Sequence, residues 1–211
     1  MSPCVPNTHS FKKITMTTKH WLATYGDLIP AEIDPKAYPS VAHMMEQAMA
    51  QFADRVAFHS FSNAITYAET DRLSRAFAAY LQSNLGVKKG DRIAVMMPNL
   101  LAFPIAMLGI IRAGAIQVNV NPLYTPRELE HQLNDAGVEV IVIFNGSTPT
   151  LASVIDRTKV RTIICVAVGD GGVQVIDSPP VDAGLPNFVR FCDALLLGES
   201  IAFTPAALES D

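Results

Sequence analysis

The stretch Val118 to Phe144, "VNVNPLYTPRELEHQLNDAGVEVIVIF", constrains the fold of this chain more than any other. Thr125, Pro126 and Glu128 combine an N-cap, a first-turn proline and a capping-box acid, so a helix must start there. Leu129 and Leu133 share its inward face, and Gly137 closes it, because glycine accepts the left-handed conformation a helix end requires. The run that follows, "VEVIVIF", is apolar at almost every position. A half-exposed strand alternates; a strand that is apolar throughout is buried on both faces, which is the habit of parallel sheets.

The same alternation extends in both directions. "RIAVMM" reads as a strand, Leu101 to Ala113 as a helix, "AIQVNV" as a strand, Pro149 to Ile155 as a helix and "RTIICVAV" as a strand. Four strands joined by helices at this spacing predict right-handed crossovers and an α/β fold with a mainly parallel sheet and flanking helices. Upstream, Ser40 caps a helix whose stripe is Val41, Met44, Ala48 and Phe52. "VAFHSF" and "AITYA" form a hairpin turning at Ser62-Asn63. Thr66 and Glu69 make a second capping box, for a helix that buries Leu73, Phe77, Tyr80 and Leu81 and ends at Gly86. After Gly169 turn residues dominate, and "NFVRFCDALL" is the last helical pattern. The expected organisation is an extension over residues 1–20, an α/β unit over 21–168, and an irregular tail with one short helix over 169–211. Met1 and Met16 are both candidate starts.

Composition narrows the function. The 211 residues are 49% hydrophobic with a formal net charge of −4, a pI of about 5.7 and mean hydropathy of +0.24. Nucleic-acid binders need a basic face; here the only basic doublets are Lys12-Lys13 and Lys88-Lys89, so nucleic acid is not an expected partner. The longest apolar run, Leu100 to Ile111, is too short to span a bilayer and contains Pro104. No secretory signal opens the chain. The three cysteines, Cys4, Cys165 and Cys192, are scattered without a Cys-x-x-Cys, which fits a reducing cytoplasm and gives neither a disulfide framework nor a zinc site. Cytoplasmic location is expected, with membrane contact at most peripheral.

In open α/β sheets ligands sit beyond the carboxyl ends of the strands. Those ends carry Asn99, Asn121 and Asn145, side chains able to hydrogen-bond a ligand and equally at home in turns. They are the candidate cleft-lining residues. The glycine cluster Gly169-Asp170-Gly171-Gly172 places an acid where a phosphate would sit and lacks a following Lys-Ser/Thr. His131 falls on the solvent side of its helix, no Gly-x-Ser-x-Gly elbow exists, and Ser147 reads as part of a helix start. Catalytic, cofactor-binding and metal-binding residues are therefore assigned to none of these positions.

The run "GDRIAVMMPNLLAFPIAMLGIIRAGAIQVNVNPLYTPRELEHQLNDAGVEVIVI" resembles the amino-terminal region of adenylate-forming, AMP-binding enzymes, and more narrowly bacterial long-chain fatty-acid–CoA ligases. "WLATYGDLIPAEIDPKAYPS" supports this. "AITYAETDRLSRAFAAYLQ" resembles the family's first core motif and "MLGIIRAGAIQVNVNPLYT" its second, so the likeness runs from about Trp21 to about Gly169. The resemblance implies a two-step reaction: a fatty acid and ATP give an acyl-adenylate, and coenzyme A then displaces AMP. Magnesium neutralises phosphate charge. It implies ATP, Mg2+ and coenzyme A as cofactors of a full-length enzyme, and an incomplete large domain here. The Ser/Thr/Gly-rich phosphate loop ending in Lys-Gly is expected directly after "FTPAALESD", so no cofactor is expected for these residues alone. Two other readings stay open: a standalone small-molecule or acyl-chain binding module, and an assembly module pairing with another ligase subunit or as a homodimer.

Overall fold

The structure, a computed structural model, describes residues 19–26, 29–172, 177–185 and 187–208. The chain divides into two compact units, Met1–Ala37 and Tyr38–Asp211. In the first, a single helical turn, α1 (Leu22–Tyr25), follows Lys19, which pairs with Glu32.

The second unit begins with α2 (Val41–Gln51), capped by the Ser40 hydroxyl accepting from the His43 N–H at 3.1 Å. The hairpin β1 (Val56–Ser60) and β2 (Asn63–Thr66) is antiparallel. Its turn falls on Phe61-Ser62, one residue earlier than the sequence suggests, and Phe61 adopts a positive φ of 52°. Asn63 is thereby released to pair with Ser60 as the first residue of β2.

Next come α3 (Tyr67–Ser83), β3 (Arg92–Met96), α4 (Ala102–Arg112), β4 (Ile116–Asn119), α5 (Pro126–Ala136), β5 (Val140–Phe144), α6 (Thr148–Ala152) and β6 (Thr162–Val166). Both predicted capping boxes are formed, at Thr66/Glu69 and Thr125/Glu128. Gly137 takes the left-handed conformation at φ 64°, which lets the Val138 N–H close onto the Leu133 carbonyl. The last elements differ from expectation. Val189–Arg190 is not helical but forms β7, a two-residue strand added beside β6, and α7 (Phe191–Glu199) starts only after it. Pairing with β6 over Ile164 and Cys165 overrides the local helical pattern. Residues 173–176, "VQVI", lie outside the described residues.

The five strands run in the order β4-β3-β5-β6-β7, all parallel. Alternate residues feed two cores. Ile93, Val95, Val140, Val142 and Ile164 pack under α3, α4 and α7 with Phe77, Leu81, Ile105 and Phe191. Ala94, Met96, Ile141, Ile143 and Cys165 pack under α5 and α6 with Leu129, Leu133 and Leu151. Both faces of β5 are therefore covered, as its unbroken apolar run requires. At Gly198 α7 comes so close to α3 that an added Cβ would overlap the Ala76 carbonyl oxygen. β4 is an edge strand: Ile116 and Val120 donate to Asp91 and Val95, so the amides of Gln117 and Asn119 face the open side. The Gln132 carboxamide reaches over from α5 and donates to the Asn119 carbonyl at 2.9 Å, partly sealing that edge.

A charge network ties α2, α3 and α4 together. Arg112, 3% exposed, donates to the Asp71 carboxylate at 2.5 Å, the Asp71 carbonyl at 2.9 Å and the Ser74 hydroxyl at 2.6 Å. Glu46 lies 3.4 Å from both Arg112 and Arg75. This explains why α2 presents a different face from the one its apolar stripe suggests. Glu46 must turn inward to meet the two arginines, so Met49 is buried while Val41 and Met44 are exposed at 59% and 37%. Burial works against ionising Asp71, but hydrogen bonds from Arg75 and Arg112, with their charges, outweigh it and hold the carboxyl below its usual range.

A carboxyl whose folded pKa is depressed contributes stability above its unfolded pKa and loses it as pH falls through the folded value. Asp71→Asn should therefore destabilise the fold by about 2 kcal/mol at neutral pH, since it leaves buried Arg112 with only Glu46, 3.4 Å away, as a charge partner. The gap from wild type should begin to narrow below about pH 4, as the unfolded carboxyl protonates, and close only as pH falls through the lower folded value. Urea denaturation at pH 7 and pH 3 measures both.

Candidate functional site

The topology itself marks where a ligand would sit. From β3 the chain passes through α4 to β4 on one side, then returns through α5 to β5 on the other side of β3. Successive crossovers thus diverge between β3 and β5, and crevices open beyond the carboxyl ends at such switch points. The loops there are Met97-Pro98-Asn99 after β3 and Asn145-Gly146 after β5.

The three sequence candidates occupy different places along this rim. Asn99 is exposed, and its carbonyl accepts from the Ser60 hydroxyl at 3.3 Å, tying the β1–β2 hairpin to the rim. The Asn121 side chain accepts from the Leu123 N–H at 3.0 Å, a local turn that occupies its oxygen. Asn145 Nδ2 donates to the Pro179 carbonyl at 3.1 Å and to the Ser178 hydroxyl at 3.4 Å, while its Oδ1 is sealed from solvent without a partner. Ser147 is buried and gives no side-chain cap to α6; its hydroxyl instead donates to the Pro122 carbonyl at 3.5 Å. Thr148 takes the structural role, donating to the Asn145 carbonyl at 2.6 Å and accepting from the Asp182 N–H at 2.9 Å. His131 is exposed, as its helical position implies.

These contacts lay residues 177–182 across the ends of β5 and β6. Beside them is a cleft of about 510 Å³, lined by Asn145, Cys165, Asp170, Leu185, Arg190 and Cys192 among others. Three of its polar groups, Asp170, Arg190 and Cys192, carry no sequence signal for a site, because they meet only once β7 docks beside β6. Burial pushes the Asp170 carboxyl upward, against a backbone hydrogen bond from the Ala167 N–H at 2.8 Å. Arg190 is held by the Asp193 carboxylate at 2.7 and 2.8 Å. Burial raises the Cys165 thiol to about 12; burial also raises Cys192, helped by the negative charges of Asp170 and Asp193. Neither thiol is activated, since the nucleophile is the thiolate. Among the described residues no group of three or more His, Cys, Asp or Glu side chains is placed to hold a metal ion, and no helix is long and apolar enough to cross a membrane.

A doubly wound parallel sheet with its crevice at a switch point is the class of protein this arrangement defines. Comparison with known proteins makes the class specific. Residues 45–186 match the family model described as AMP-binding enzyme. A long-chain-fatty-acid–CoA ligase of Escherichia coli is 53% identical over 152 residues, covering 72% of this chain and 27% of that relative. The ligase of the same description from Bacillus subtilis is 38% identical over 154 residues, again 27% of its length. Among solved structures, a long-chain-fatty-acid–CoA ligase from Archaeoglobus fulgidus aligns with a TM-score of 0.62 at 22% identity, over 80% of this chain and 34% of that one. An anthranilate–CoA ligase with bound anthranoyl-AMP aligns at 0.66 and 17%, over 85% and 31%. At those identities the structures speak for the fold alone. The chain belongs to the AMP-binding enzyme family, and it spans 27% of the curated relatives it matches.

Selective labelling checks the cleft chemistry. In the native protein at pH 8, iodoacetamide should modify half-buried Cys192 well before buried Cys165, and Cys165 only at the rate of global unfolding. Peptide mass mapping over time reads both rates.

Proposed function

We propose that this chain supplies the parallel-sheet scaffold of a long-chain fatty-acid–CoA ligase. In the complete enzyme, ATP and a fatty acid would give an acyl-adenylate, and the coenzyme A thiol would then displace AMP. The 53% identity to the E. coli ligase over 152 residues carries this reading. Magnesium would neutralise triphosphate charge, with the preorganised electrostatics that acyl transfer through an adenylate needs. The 211 residues hold no Ser/Thr/Gly-rich run ending in Lys-Gly. On this reading they position the crevice and leave the triphosphate to other polypeptide.

Asn99, Asn121 and Asn145 are proposed to shape the crevice rim through their turns rather than to act on substrate. The reaction would take place in the cytoplasm, with any membrane contact peripheral.

A graft tests the proposal. When the matched 152-residue segment of the E. coli ligase is replaced by the corresponding part of this chain, the hybrid should release AMP only with palmitate, ATP, Mg2+ and coenzyme A all present. The 211-residue chain alone should show background ATP–pyrophosphate exchange. A folded hybrid without activity, or exchange by the chain alone, would overturn it. One observation favours a standalone acyl-chain binding module: Val181 and Asp182, anchored through Thr148, wall the cleft from within this chain. Saturable, stoichiometric binding of a fluorescent fatty acid would support that second reading.

A further inference from the structure

Beyond α7 the chain crosses the helical face of the sheet as an extended strap, residues 201–208. Ile201, Phe203, Ala206 and Leu208 turn partly inward and the residues between them outward, yet none of the eight is fully buried. Its direct hydrogen bonds are few: the Ile201 N–H donates to the Gly198 carbonyl at 3.1 Å, the Gln82 carboxamide to the Thr204 carbonyl at 2.9 Å, and the Ala206 N–H to the Arg112 carbonyl at 3.4 Å. Open grooves flank the strap on both sides of Phe203. One cavity of about 460 Å³ lies toward Arg72 and Gly198, and another of about 280 Å³ toward Ser40 and Arg112. The middle is held by the Phe203 ring, which packs against the main core and has the Arg75 guanidinium 5.6 Å from its centre. Arg75 is itself fixed by Asp71 at 3.0 Å and Glu46 at 3.4 Å.

We propose that residues 201–208 are a latch-held strap that peels from the α2–α3–α4 face as a unit while the sheet and its helices stay folded. The latch is Phe203, held by the core on one side and by Arg75 on the other. An element that buries none of its residues fully, is flanked by open grooves and is held by one ring and a few hydrogen bonds opens at lower free energy than the core. The α3–α4 core is the opposite case, with Phe77, Leu81, Ile105 and Ile110 fully buried. Opening also removes the roof over Arg112, since Arg112, Pro205 and Ala206 line the same cavity. The strap thus decides whether water reaches Arg112, the buried member of the charge network that joins α2 to α3 and α4.

Amide hydrogen exchange by NMR on the full chain tests this, with the Ala206 amide as reporter. It should exchange far faster than the Val142 and Ile164 amides. Phe203→Ala should speed Ala206 roughly tenfold by removing both the stack and the ring's apolar contact, with sheet amides unchanged. Arg75→Lys keeps the positive charge facing Asp71 and Glu46 but removes the planar group over the ring. It should speed Ala206 by about two- to fivefold. The proposal fails if Ala206 exchanges together with the sheet, if Phe203→Ala leaves it unchanged, or if Arg75→Lys has no effect on it.

Discussion

Everything in this molecule depends on β5 being hydrogen-bonded on both sides and covered on both faces. Val140 to Phe144 pair with β3 on one edge and β6 on the other, and Val142 and Ile143 are inaccessible to solvent. A strand in that position satisfies its backbone only through its neighbours, because no water reaches it. Its neighbours run parallel, so each connection must cross the sheet, and each crossing helix brings an apolar face that covers one side. Three helices follow from the strand as crossings, α4 on one face and α5 and α6 on the other, and α3 and α7 pack beside α4 to complete the first face.

The sheet's position in the fold also explains why the chemistry is sparse at its rim. Side chains at the carboxyl ends are mostly engaged in holding loops: Asn121 in its own turn, Asn145 on Pro179, Thr148 on Asp182. In the neighbouring cleft Arg190 is paired with Asp193, and desolvation keeps the two cysteines as thiols. A rim built this way presents shape and a few dipoles. That suits a scaffold in an AMP-binding enzyme, whose matched relatives are almost four times longer than the segment they share with it.

What the sequence revealed and what it concealed divide along a physical line. Local signals were sufficient for the central strands, for both capping boxes and for the left-handed turn at Gly137, because neighbouring residues decide them. Features set by distant partners were not legible. The inward face of α2 is chosen by Glu46 meeting Arg75 and Arg112, residues that lie in α3 and α4. Val189-Arg190 becomes a strand because β6 offers a free edge, against a helical local pattern. The cleft at Asp170, Arg190 and Cys192 comes into being only through that pairing. Asn145 was visible as a residue at a strand end, but its anchoring to Ser178 and Pro179 was not, since a turn-rich segment gives no register.

The most direct measurement is the pattern of inter-strand nuclear Overhauser effects around Val142 in the isotopically labelled protein. The account predicts parallel-type contacts from β5 to both Val95 and Ile164, in the register Val95–Val142–Ile164. Antiparallel contacts, or a β5 with a partner on one side only, would contradict it.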